Sequence, residues 1–249
     1  MSGHSKWARI KRKKGKTDAE RGRTFTRHIK EITIAARDGG GDPDGNPRLR
    51  SAIAAAKAVN MPADNIKRAI QKGTGELPGV TYESVTYEGY GPAGVAIYME
   101  IMTDNKKRAV AELRHILSKY GGNLGANGCV AWMFDKKGVI TIELDAVDED
   151  TLMEVATEAG AEDITTEAGS YEVLTQPDDI DTVRSAIEAK EIPMVSAEVV
   201  MRPKNSVNLD KESQANSMLK MYEMLEECDD VQKIYSNFDI DEALLEKLA

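Results

Sequence analysis

The chain opens with a dense run of basic side chains and one aromatic ring. Between Lys6 and Lys30 there are 11 lysines and arginines but only 2 acidic residues. Lysine and arginine neutralise phosphates and a tryptophan ring can stack on a base, so this segment favours nucleic-acid binding over the alternative of a solvated basic tail. The candidate nucleic-acid-binding residues are Lys6, Trp7, Arg9, Lys11, Arg12, Lys13, Lys14, Lys16, Arg21, Arg23, Arg27 and Lys30.

The charge of the whole chain is sorted by position. Through Lys72 there are 18 basic and 7 acidic residues, a net charge of +11, whereas the formal charge of all 249 residues is −9. The remaining 177 residues contain 15 basic and 35 acidic side chains. Because a polyanion responds to local potential, an acidic protein can still bind nucleic acid through one basic end. The acidic remainder is expected to face away from the nucleic acid or to contact protein.

The residue types that read bases or perform catalysis are sparse. In the basic stripe arginine and lysine dominate and only His28 could address a base edge, so backbone or shape recognition is favoured. The three histidines are His4, His28 and His115. The histidines form no catalytic triad and no metal-ligand spacing. Acidic clusters at 148–150 and 226–230 are typical of helix ends and solvated faces. We therefore predict a protein that is not an enzyme and that needs no cofactor and no metal; the alternative is an enzyme that uses an acidic cluster.

Cysteine usage and hydropathy favour a cytoplasmic protein. Cys129 and Cys228 are far apart and outside any CxxC spacing, which argues against a disulfide framework and against structural zinc. No apolar run approaches the roughly 20 residues of a membrane span, and the basic start lacks the apolar stretch of a secretory signal.

Two glycine-rich segments could approach phosphates through backbone amides. The segment 89–94 matches GxGxxG, but a strand follows it and Pro92 interrupts the turn, so we predict a hairpin rather than a dinucleotide site. The segment 121–128 is either a phosphate cradle or a flexible connection, and the sequence leaves both open.

The first 80 residues predict a basic arm followed by a small helical bundle. Residues 1–21 lack hydrophobic periodicity and are expected to be a mobile arm. From Gly22 the spacing is helical, with one apolar stripe and one basic stripe on opposite faces. Asn46-Pro47 and Pro62 are expected to begin two further helices. The apolar stripe is Phe25, Ile29, Ile32 and Ala36, and the basic stripe is Arg23, Arg27, Lys30 and Arg37.

Beyond Val80 the pattern predicts two units of mixed strands and helices. A hairpin, a helix over 106–120 and a strand over 130–134 form the first, and a helix at 214–228 with a strand at 231–238 is assigned to it. Between them, residues 135–205 give the strand-helix-strand-strand-helix-strand order of a ferredoxin-like domain. The predicted fold class is therefore α+β and multidomain: a three-helix bundle within 1–80, an α/β-sandwich domain of 81–134 plus 206–249, and a ferredoxin-like βαββαβ domain of 135–205 inserted in it.

Several motifs along the whole chain carry a family resemblance. They are Gly3-His4-Ser5-Lys6-Trp7, Gly39-Gly40-Gly41-Asp42-Pro43 with Asn46-Pro47-Arg48-Leu49-Arg50, Asn60-Met61-Pro62 with Asp64-Asn65-Ile66, Tyr87-Glu88-Gly89-Tyr90-Gly91-Pro92, and Gly121-Gly122-Asn123-Leu124-Gly125. In this order they resemble the YebC family, whose mitochondrial branch is called translational activator of cytochrome c oxidase. The resemblance implies a three-domain α+β protein, with a helical N-terminal domain and the third domain inserted in the second. It also implies either a DNA-binding transcriptional regulator or a translation factor that acts on the ribosome, including at proline-rich stalls.

We interpret the chain as a non-enzymatic regulator of gene expression that binds DNA or ribosomal RNA through its basic end. The resemblance favours DNA and transcription. A cationic arm that does not read sequence suits ribosomal RNA equally well. The acidic domains are expected to position the protein or to contact a ribosome or another protein, and no membrane contact is expected.

Overall fold

The computed structural model describes residues 18–167 and 169–248, beginning with three helices. These are α1 (Asp18–Gly39), α2 (Pro47–Ala58) and α3 (Ala63–Gly73). Asn46 caps α2 by accepting a hydrogen bond from the Leu49 amide at 3.0 Å, and Pro47 occupies the first turn, where its missing N–H costs nothing. The expected cap and order of helices are confirmed, but the chain is already helical at Asp18, four residues before Gly22.

The helical bundle has a small aliphatic core on one face of α1. Ile32 and Ala36 are buried against Leu49 of α2 and Ala69 of α3, with Phe25 and Ile29 of the predicted apolar stripe partly buried beside them. The end of α3 approaches α1 closely because Gly73 has no side chain: a Cβ there would lie 2.4 Å from the Thr33 carbonyl oxygen.

The second domain is a four-stranded antiparallel sheet with helices on one face. Its strands are β1 (Glu83–Tyr90), β2 (Ala96–Thr103), β3 (Asn123–Leu124) and β9 (Val231–Ser236), in the order β3-β1-β2-β9. Helix α4 (Lys106–Lys119) and helix α7 (Glu212–Glu227) supply most of its core, including the fully buried Met218 and Met221.

A second antiparallel sheet is inserted between β3 and β9. Its elements are β4 (Phe134–Glu143), α5 (Glu149–Glu158), β5 (Asp163–Glu167), β6 (Ser170–Thr175), α6 (Ile180–Ala189) and β7 (Ser196–Pro203). The strand order β5-β6-β4-β7 is that of a ferredoxin-like sheet. Its own core contains Ile140, Leu152, Val173 and Val183, all fully buried.

The two sheets meet through a separate apolar cluster. Ala96, Val130, Phe134 and Tyr235 are buried there, on the face of the second domain's sheet opposite α4 and α7. Strand β2 is therefore covered on both faces, which explains why its residues are almost all buried.

The predicted fold class is confirmed, and one predicted strand is wrong. Residues 131–133 form a short 3-10 turn instead of a strand, and β4 starts only at Phe134. Three terminal elements were not predicted: β8 (Val207–Asn208) pairs in parallel with β10 (Phe238–Asp239), and α8 (Glu242–Leu248) follows. Within the described residues, no helix combines the length and apolar character that crossing a bilayer requires.

Candidate nucleic-acid interface

The structure separates the predicted basic residues into three groups. Lys6, Trp7, Arg9, Lys11, Arg12, Lys13, Lys14 and Lys16 lie outside the described residues. Arg21 is exposed and Arg23 is half-buried, both in the first turns of α1. Further along α1, Arg27 and Lys30 contact the second domain. They lie one and two turns after Arg23.

Lys30 is not an exposed phosphate contact. Only 4% of the residue is exposed, and its Nζ lies 2.8 Å from Oδ1 of Asp230 in a buried ion pair. The same ammonium donates to the carbonyl oxygens of Met102, at 3.2 Å, and Asp229, at 2.8 Å. The prediction of an exposed basic stripe through Lys30 is therefore wrong, because three acceptors of the second domain satisfy this ammonium.

Arg27 also faces the second domain. Its Nη2 donates to the carbonyl oxygen of Glu226 in the last turn of α7, where unpaired carbonyls carry the negative end of the helix dipole. Burial lowers the pKa of Arg27 below its ordinary value, although the nearby charge of Glu226 acts in the opposite direction. Arg27 thus stabilises the contact between α1 and α7.

Asp230 connects the two domains through both carboxylate oxygens. Oδ1 accepts from Lys30, while Oδ2 accepts from the Thr103 hydroxyl at 2.9 Å and from Nη2 of Arg108 at 3.0 Å. Burial would raise its pKa, but the hydrogen bonds from Lys30, Arg108 and Thr103 outweigh burial and hold the pKa of Asp230 below its usual range. The acidic cluster 226–230 is therefore the partner of the basic face of α1.

Exposed cations on α2 and α3 were not among the predicted site residues. Arg50 and Lys57 lie seven residues apart on α2, and three further cations lie on α3. None of these five side chains has a carboxylate partner among the described residues, unlike Arg48, which pairs with Glu31 at 2.9 Å. The sequence did contain a signal for them, because these cations contribute to the net positive charge of the first 72 residues. The five are Arg50, Lys57, Lys67, Arg68 and Lys72.

The glycine-rich loop after α4 cradles an anion that belongs to the chain itself. Glu88 is only 4% exposed, and its carboxylate accepts from the amides of Gly128 at 2.6 Å, Val130 at 2.7 Å and Ala131 at 2.8 Å. Burial raises its pKa, but the three amide donors prevail and hold the pKa of Glu88 below the ordinary value. Those three amides are therefore occupied by a carboxylate rather than open to a phosphate.

This loop also presents an exposed indole. Trp132 is 67% exposed, and its Nε1 donates to the Cys129 carbonyl at 3.1 Å. The carbonyl of Cys129 also accepts from the Tyr90 hydroxyl at 3.0 Å. Trp132 is thus held in a fixed orientation next to the loop that Glu88 organises.

The contacts of Asp148 and of the two cysteines are those of residues that stabilise the fold. Asp148 caps α5, accepting from the Thr151 amide at 2.9 Å and from its hydroxyl at 2.7 Å, as expected of a helix end. Both cysteines are free thiols, and burial raises the pKa of Cys228 to about 11. The glycine-rich segment 89–94 is part of a hairpin that is closed by a short turn over Pro92–Gly94, as predicted.

Taken with the fold, these contacts define a class: a three-domain α+β protein whose basic helical domain is fixed to an acidic body by a buried ion pair. The model of the TACO1/YebC N-terminal domain matches residues 5–76, and the model of the TACO1/YebC second and third domain matches residues 82–238. The chain belongs to the TACO1/YebC family.

Similar proteins extend over the full chain. A protein of Syntrophus aciditrophicus, named a probable transcriptional regulatory protein, is 60% identical over 100% of both chains. One of Desulfotalea psychrophila with the same descriptive name is 57% identical over 100% of both chains. The crystal structure of a conserved hypothetical protein from Aquifex aeolicus has a TM-score of 0.82 at 44% identity, covering 91% of this chain and 93% of that one.

Proposed function

We propose that this protein is a non-enzymatic, cytoplasmic regulator of gene expression that binds nucleic-acid phosphates through its basic N-terminal domain. The observation that carries the proposal is the sorted charge, with +11 through Lys72 against −20 in the remainder. The exposed cations of α2 and α3 support it, since they lack carboxylate partners among the described residues. Arg27 and Lys30 are left out of the proposed interface because the second domain already contacts them.

Duplex DNA is the first target because relatives that are 54% to 60% identical are named probable transcriptional regulatory proteins. The contacts would be made to the backbone rather than to base edges. Apart from Trp7, the candidate residues are lysines and arginines, which can neutralise phosphates whatever the base sequence.

Ribosomal RNA is the second candidate, and the packing of α1 favours it. On one side α1 contacts α2 and α3, and on the other Arg27 and Lys30 contact the second domain. A helix enclosed in this way is not free to enter a major groove as a recognition helix does. Binding that depends on charge and shape suits a folded RNA, as a translation factor acting at proline-rich stalls would require.

Crosslinking in cells tests the proposal and separates its two targets. Ultraviolet irradiation, purification of the full chain and sequencing of the attached nucleic acid should recover DNA fragments if it acts in transcription and ribosomal RNA if it acts in translation. A variant with Lys11, Arg12, Lys13 and Lys14 changed to Gln should recover much less of either. Equal recovery by this variant, or no attached nucleic acid with the native chain, would contradict the proposal.

A further inference from the structure

Helix α4 is a basic element within the acidic body. Of the 15 lysines and arginines that follow Lys72, five lie in the 14 residues of α4, accompanied by a single acidic residue, Glu112. This local excess was not recognised from the sequence, because the overall charge of −20 concealed it.

Three of the five cations, Lys107, Arg114 and Lys119, are exposed without a carboxylate partner among the described residues, and Lys119 lies over the Tyr120 ring. Lys106 pairs with Glu83 at 2.6 Å, and Arg108 pairs with Asp104 and Asp230. Lys107 and Arg114 are exposed and have no such pairing. They lie seven residues apart on the same face, a rise of about 10 Å, which corresponds to roughly three nucleotides of one duplex strand.

The surface between these cations is open and shallow and is formed by α4 alone. It has a volume of about 340 Å³ and is lined by Lys106, Lys107, Val110, Ala111 and Arg114. Val110 is only half-buried, and its apolar side chain lines this area together with Ala111. An apolar floor flanked by cations suits a sugar-phosphate backbone, whose charged and apolar groups alternate.

The start of α4 adjoins the N-terminal domain. Asp230 accepts from Lys30 of α1 through one oxygen and from Arg108 of α4 through the other. One carboxylate therefore joins the two basic helices, and Lys107 immediately precedes Arg108 in the chain.

We infer that the outward face of α4, through Lys107 and Arg114, is a second phosphate-binding surface, so that one nucleic-acid backbone extends from the N-terminal domain across the Asp230 junction onto the second domain. This inference rests on the proposed function, because it supposes that the N-terminal domain binds the same polyanion. It assigns a binding role to a basic surface within the acidic part of the chain, because a polyanion responds to local potential.

Salt dependence of binding tests the inference in the full chain. The probe is a fluorescently labelled 30-base-pair duplex DNA, repeated with a 30-nucleotide RNA hairpin, titrated at 50 to 300 mM KCl. For K107E/R114E the slope of log affinity against log salt should fall by about 2, since each lost phosphate contact removes roughly one unit. The control K190E/K220E changes the net charge equally at exposed lysines elsewhere and should leave the slope unchanged.

The outcomes separate this inference from the proposed function. A slope for K107E/R114E equal to that of K190E/K220E would overturn the inference, and would leave this face to an acidic protein partner. If the inference fails in this way but neutralising Lys11, Arg12, Lys13 and Lys14 still weakens binding, the proposed function is supported without the second surface. If the native chain binds neither probe, the proposed function and the inference are both wrong. K107Q/R114Q serves as the second variant if charge reversal impairs folding, and its slope should fall by the same amount.

Discussion

Glu88 is a buried carboxylate whose charge is stabilised by main-chain donors. Three amides of the 128–131 segment point at its two oxygens, so the carboxylate fixes the loop that leads from α4 into the inserted domain. Hydrogen bonds to an ionised acceptor are about twice as strong as neutral ones. The charge therefore determines the conformation of a segment that otherwise lacks regular structure.

Replacing Glu88 with Gln tests this role. The amide keeps the shape of the side chain but turns an NH₂ group toward a buried N–H donor, so we expect the free energy of unfolding to fall by about 2–4 kcal/mol. Urea denaturation at pH 7 measures the change. Glu154→Gln on the exposed face of α5 is the matched control, and a similar small effect for both variants would show that the loop does not depend on the carboxylate charge.

The contact between Glu88 and the amides of the 128–131 segment could not be predicted from the sequence. The glycine-rich segment could be recognised as a possible anion cradle, but no spacing rule connects Glu88 to residues 40 positions later. The pairing arises because β1 and β3 are neighbours in the sheet, with Gly89 opposite Leu124. Trp132 was overlooked because a strand was expected there, and a strand would have buried alternate residues of the segment.

The contact of α1 with the end of α7 is the main electrostatic link at the scale of elements. Both partners were visible in the sequence, as a basic stripe and an acidic cluster, but each was assigned to solvent or to an outside partner. Helical periodicity indicates which residues share a face, and it does not indicate what covers that face. In contrast, the apolar stripe of α1 was placed correctly because burial is its only stable environment.

Lys30→Met should weaken this link. The substitution leaves Asp230 with Arg108 and Thr103 only and removes the donor to two carbonyls, so we expect a loss of about 3 kcal/mol of stability. Hydrogen exchange should also rise in 18–73, where the helical domain separates from the body. The double variant K30M/D230N should lose less than the sum of the two single variants, and strict additivity would argue against coupling.

The same ion pair makes stability depend on pH in a defined direction. The pKa of Asp230 is lower in the folded protein than in the unfolded chain, so its contribution is complete above the unfolded value of about 3.9 and is lost as pH falls through the folded value. The stability difference between the native chain and D230N should therefore be constant near neutrality and shrink below about pH 4. Urea titrations at pH 7, 5 and 3.5 measure it, and a difference that does not change with pH would rule out the ionised carboxylate as the source.

Gly73 tests the packing of α3 on α1. A methyl group at this position meets the Thr33 backbone carbonyl, so Gly73→Ala should cost about 1–3 kcal/mol by overpacking. Gly22 lies within α1 with nothing within 4 Å of an added Cβ, so Gly22→Ala should be neutral or stabilise by about 0.5–1 kcal/mol through helix propensity. Thermal unfolding compares the two, and equal effects would contradict the close approach of the helices.

Across the whole molecule, the basic residues of the N-terminal domain have two different environments. Among the described residues, Arg27 and Lys30 attach the basic domain to the acidic body, whereas the five cations Arg50, Lys57, Lys67, Arg68 and Lys72 are exposed. The fold class could be predicted because periodicity changes from helical to alternating after Val80 and the ferredoxin-like order is distinctive. The interdomain contacts could not, because they depend on how finished domains meet and not on any local pattern.

Nucleic-acid binding by the N-terminal segment can be measured by neutralising the charge of that segment. The variant carries Gln in place of Lys11, Arg12, Lys13 and Lys14, and the control carries Gln at four exposed lysines of the body, Lys136, Lys190, Lys211 and Lys220. Both are titrated with the same labelled duplex DNA and RNA hairpin between 50 and 200 mM KCl.

If about six phosphates are neutralised, affinity of the native chain should fall on the order of a thousandfold across this salt range. The N-terminal variant should bind at least about a hundredfold more weakly at 100 mM salt, with a slope reduced by roughly 3 to 4. The body control should match the native chain. Binding by the N-terminal variant that equals the native chain in affinity and slope would contradict the account.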